Sequence, residues 1–156
     1  MAAVLVLAAG ASQASALGGS LRYCDSPPKL SAAQQDKLLR VGAIVKAELE
    51  RSGASLALIS RSGLQLGVFG MRYSHAGLTL KASAESRWAV RQLYFACEEQ
   101  QPRVFDQGLS AFLLGTDEPA LGYISVLVLP QAAAAVLEPV ALDNRRALAL
   151  LGREVM

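Results

Sequence analysis

The chain has 156 residues and a formal net charge of +2, from 15 Lys and Arg against 13 Asp and Glu. That length suits one domain, and a domain near this size buries roughly 70% of its unfolded surface. The charges are scattered with no basic stripe, which argues against nucleic acid as a partner, and no apolar span is long enough for a transmembrane helix.

Residues 1–16, MAAVLVLAAGASQASA, carry no charge and end in Ala14-Ser15-Ala16, a small-x-small pattern. They read as a secretory signal peptide, although a positive n-region before the apolar run is missing. Residues 17–156 are then expected to form one exported domain, periplasmic or secreted. Export places Cys24 and Cys97 in an oxidising compartment, where they are expected to form a disulfide. A bridge closing so long a loop is worth on the order of 4 kcal/mol in the chain-entropy model.

After a Gly- and Pro-containing loop, Ser31 begins a helix. It is an N-cap residue with Gln34 completing a capping box. Leu38, Val41, Val45 and Leu49 give the helix one apolar face, and Gly53 closes it. SLALISR, residues 55–61, is a short apolar strand. The glycines that follow, Gly63, Gly67 and Gly70, do not have the spacing of a phosphate or dinucleotide fingerprint.

SHAGLTLK alternates, with His75, Gly77 and Thr79 on one face and Leu78 and Leu80 on the other. RWAVRQLYF alternates too, placing Trp88, Val90, Gln92 and Tyr94 together. The two make a hairpin turning near Ala84, which sets Gln92 across or diagonal from His75. EEQQPR reads as a loop, DQGLSAFLLG as a short helix, and GYISVLVLP as the strongest strand. Pro130 opens a helix that Pro139 is expected to end, and Asp143 caps a last one. The fold class is α+β, a mainly antiparallel sheet with flanking helices.

His75 is the chain's one histidine, and imidazole serves as acid, base or ligand near neutral pH. The bland alternative is a histidine bonded to a backbone carbonyl. Ser74 precedes it on a strand, so its side chain is expected on the opposite face. No His, Cys, Asp and Glu spacing fits a metal, and no fingerprint implies a cofactor. No G-x-S-x-G elbow occurs. A Cys97–His75 dyad has the right chemistry but poor register.

RYSHAGLTLK, W-x-V-x-Q-L-Y-x-x-C and VFDQGLSAFLL, in this order over residues 24–156, resemble an uncharacterised family of exported bacterial proteins, domain of unknown function 2145. That family is more remotely similar to circularly permuted NlpC-type proteins of the papain fold. The resemblance implies that SH-x-G delivers His75 as a general base, that Gln92 orients it, and that Gly77 leaves room for backbone or substrate. It also implies a nucleophilic cysteine in an Asn-Cys segment beyond Met156, so that the chain is a truncated or half domain. The implied activity is a cysteine hydrolase or acyltransferase acting on amide or ester bonds of a cell-envelope peptide or lipid. The alternative is a non-catalytic envelope binding or structural domain.

Overall fold

The structure is a computed structural model that describes residues 29–151, apart from 65, 98, 118 and 121. The expected signal peptide, the loop up to Pro28 and Gly152 lie outside the described residues. Helix α1, Ala32–Arg51, begins at Ser31 with the full capping box, and Gly53 follows it at φ +71°. Ser31 and Gln34 satisfy each other's exposed amides, which is why the helix starts there.

Five strands follow: β1, Leu56–Arg61; β2, His75–Leu80; β3, Ala89–Ala96; β4, Gln101–Gln107; and β5, Ile124–Val128. Their spatial order is β4-β3-β2-β1-β5, and each neighbouring pair is antiparallel. Short helix α2, Leu109–Leu114, lies between β4 and β5 in sequence. Helices α3, Gln131–Leu142, and α4, Asn144–Leu151, close the described chain.

Strand alternation divides the apolar residues between two cores. Ala57, Ile59, Trp88 and Val90 pack with Leu49 of α1 and with Leu109, Phe112 and Leu113 of α2. Leu56 and Leu80 face the other way, onto Ala134, Leu137, Ala141 and Leu142 of α3. Helices thus cover both faces of an antiparallel sheet, as an α+β reading requires.

Three sequence expectations change. EEQQPR is not all loop, because β4 starts at Gln101 and pairs Pro102 with Phe95. Proline is tolerated there because β4 is an edge strand. Pro139 does not end α3, which runs on to Leu142. The last turn persists because Ala141 and Leu142 pack in the second core and Nη1 of Arg91 donates to the Ala141 carbonyl at 2.6 Å. Ser74, finally, is not turned away from His75. It lies just ahead of β2, where strand alternation does not yet apply, and its Oγ is 2.9 Å from His75 Nδ1.

Candidate functional site

The site is a row of side chains across the sheet, on the face shared with α1 and α2. In the β1–β2 register Arg61 is the partner of His75. The β2–β3 register pairs Leu78 with Arg91, and continuing it three pairs sets His75 opposite Tyr94. The His75 and Tyr94 rings are 6.1 Å apart between centroids, and Tyr94 meets Phe105 edge-on at 5.5 Å. Cross-strand geometry therefore builds an Arg61–His75–Tyr94 row from residues distant in sequence.

Arg61 occupies a prepared nook and is 3% exposed. Its Nη1 donates to the carbonyls of Ser62, at 2.9 Å, and Gly115. The guanidinium lies over the Phe112 ring, 5.1 Å from its centroid, a favourable place for a cation. Two glycines make the space. A Cβ on Gly115 would come within 2.7 Å of Arg61 Cζ, and one on Gly63 within 2.6 Å of His75 Nδ1. Neighbouring Ser62 and Thr116 tie the two loops together, hydroxyl to hydroxyl, at 2.8 Å.

His75 is half-buried. Its Nδ1 is 2.9 Å from Ser74 Oγ and 3.5 Å from Arg61 Nη1. A guanidinium can only donate. Both protons of Arg61 Nη1 meet the Ser62 and Gly115 carbonyls, so Ser74 is the neighbour that sets the His75 tautomer: where its hydroxyl donates, Nδ1 accepts and the neutral ring carries its proton on Nε2.

Beside the row is a cavity of about 540 Å³, lined by Arg61, Gln92, Tyr94, Phe105 and Gln107 among others. Gln92 is 6% exposed, and its Nε2 donates to Gln107 Oε1 at 3.1 Å. It sits on the same face as His75 but on the diagonal, opposite Gly77 when the register is continued. Gly77 leaves room for β3 itself: a Cβ there would meet Val90 Cγ1 and the Arg91 carbonyl, each at 2.7 Å. Cys97 follows β3 and is disulfide-bonded, so its sulfur is not a free thiolate beside His75. Cys24 lies outside the described residues. Among the described residues no group of three or more His, Cys, Asp or Glu comes together.

Sequence reasoning names His75 and Gln92 but not Arg61, Ser74 or Tyr94, which the fold brings beside them. Arg61 had a signal: it closes an apolar strand, where a charge must either leave the sheet or be housed within it.

Fold and site together define an antiparallel α+β domain with a mainly apolar cavity on one sheet face, lined by the buried Arg61 and lying beside the row that carries His75. The family model described as "Uncharacterized protein conserved in bacteria (DUF2145)" matches residues 48–154, and the chain belongs to that family. No curated protein and no solved structure matches the chain.

Proposed function

We propose that the chain is exported and that the cleft beside His75 binds an amide- or ester-bearing peptide or lipid of the cell envelope. The observation that supports this reading is the cross-strand row Arg61–His75–Tyr94, two members of which line the cavity. The cavity is of the size that small ligands fill. Tyr94 and Phe105 offer apolar walls; Gln92 and Gln107 offer amides. The test is a two-dimensional amide NMR titration with short acyl-amide and acyl-ester fragments of envelope peptides and lipids. Shifts should gather at Gln92, Tyr94 and Gln107, and His75→Ala should weaken binding at least tenfold. Binding that ignores His75→Ala would refute the assignment.

A cysteine hydrolase or acyltransferase of papain type is the second reading, supported by the half-burial of His75 between Arg61 and Tyr94, which line the cavity. It requires the opposite tautomer, with the lone pair on Nε2, and a thiol other than Cys97. On either reading Cys97 is bridged to Cys24, and alkylation of the unreduced exported chain should modify neither cysteine. A chain extended through the Asn-Cys segment expected beyond Met156 tests the hydrolase: labelling by a cysteine-directed electrophile that depends on His75 would favour it, and labelling indifferent to His75→Ala would count against it.

A further inference from the structure

Between β1 and β2 the chain reads LGVFGMRYS, residues 66–74, and it leads directly into the site. Val68 is 85% exposed, Phe69 73%, Met71 51% and Tyr73 46%. Single exposed apolar residues are ordinary on a protein surface; four large ones within six positions are not. The segment holds a defined shape. Leu66–Phe69 form a 3-10 turn, Gly70 N–H donates to the Gly67 carbonyl at 2.9 Å, and Met71 N–H donates to that of Leu66 at 3.3 Å. Gly70 adopts φ +69°, a conformation few other residues accept. The apolar side chains are therefore presented on an ordered turn.

From Arg51 to Ala84 the sequence has no Asp or Glu. Of its cations, Arg51 pairs with Glu48, Lys81 pairs with Glu50 and Arg61 is buried, so Arg72 is the one that accompanies the apolar side chains. Arg72 sits within the turn, 4.9 Å from the Tyr123 ring centroid. Asp117 is the acidic residue that lines the adjoining hollow with Met71 and Arg72. Protruding apolar residues with aromatics and a cation, on an acid-free segment, match the boundary of an anionic lipid surface.

We propose that the Leu66–Tyr73 turn docks on an anionic lipid surface, inserting Val68 and Phe69 with Met71 and Tyr73 at the headgroup level. This holds independently of what the cleft binds. The test uses the full chain and vesicles of equal phosphatidylglycerol and phosphatidylcholine, with pure phosphatidylcholine beside them. Co-sedimentation should be stronger with the anionic vesicles. The double variant Val68→Ser/Phe69→Ser should lose at least tenfold in partitioning with an unchanged circular dichroism spectrum. The apolar N-terminal stretch is common to both chains, so it cannot produce that difference. In the Phe69→Trp variant the emission should shift to the blue on anionic vesicles and be quenched by brominated acyl chains, while the parent, with Trp88 alone, should not respond. Equal partitioning of parent and double variant, or unquenched Phe69→Trp emission, overturns the proposal. So does a vesicle-independent dimer in analytical ultracentrifugation that the double variant abolishes, because a second copy would then be the occupant.

Discussion

A Cβ at Gly63 would lie 2.6 Å from His75 Nδ1 and against the Arg61 guanidinium, both parts of a packed row. Gly63→Ala should therefore force the two side chains apart, at a cost of about 1–3 kcal/mol typical of overpacking. Urea denaturation measures that cost, and a midpoint unchanged from the parent would show that the row can give way. At this scale the sequence is uneven. His75 stands out because the chain has no other imidazole. Arg61 does not, because an arginine at a strand end usually reaches solvent, and only the pairing of β1 with β2 brings it to the histidine. Ser74 was misjudged for a local reason: strand alternation was extended one residue beyond the strand.

Elements are held to one another by a few ionic contacts. Arg91 on β3 bonds Asp106 on β4, the Ala141 carbonyl of α3 and Asn144 Oδ1 at the start of α4. Its side chain is 12% exposed and that of Asp106 8%, and the hydrogen bonds that Arg91 donates to Asp106 hold the guanidinium pKa above its ordinary value. Asp106→Ala would leave a nearly buried cation without its carboxylate, a loss of about 3 kcal/mol. Hydrogen exchange should show α3 and α4 opening before β1 and β2. Uniform exchange across the chain, with stability unchanged, would contradict that role. Helix α1 was legible because its cap and apolar spacing are local signals. β4 was not, because Pro102 and polar neighbours hide an edge strand whose partners lie on β3. The end of α3 was misplaced because Arg91 and the second core, not the local sequence, carry its last turn past Pro139.

Across the whole molecule one carboxylate ties α1 to the β2–β3 hairpin. Glu50 accepts from Arg87, from Trp88 Nε1 at 2.6 Å, and from Lys81 Nζ at 3.2 Å. Arg87 foremost, then Trp88, lowers its pKa from the usual 4.5 to about 2. The folded value lies below the unfolded one, so the stabilisation is complete above pH 4.5 and is lost as pH falls toward 2. Urea midpoints of the parent and Glu50→Gln should accordingly differ at neutral pH and converge toward pH 2; a constant difference would remove Glu50 from the account. The same carboxylate helps hold Trp88 at φ +65°, a costly backbone for so large a residue. The order of helices and strands made the α+β class and the antiparallel sheet legible in sequence. The meeting of β1, β2 and β3 in the Arg61–His75–Tyr94 row was not, because it depends on the registers β1–β2 and β2–β3 together. Since the entire chain contains one imidazole, nitrogen-15 NMR reads that meeting point without ambiguity. On the binding account, Nδ1 of the neutral ring should be the unprotonated acceptor of the Ser74 hydroxyl, with the proton on Nε2. A proton on Nδ1, with the lone pair on Nε2, would contradict the binding account and favour His75 as a general base.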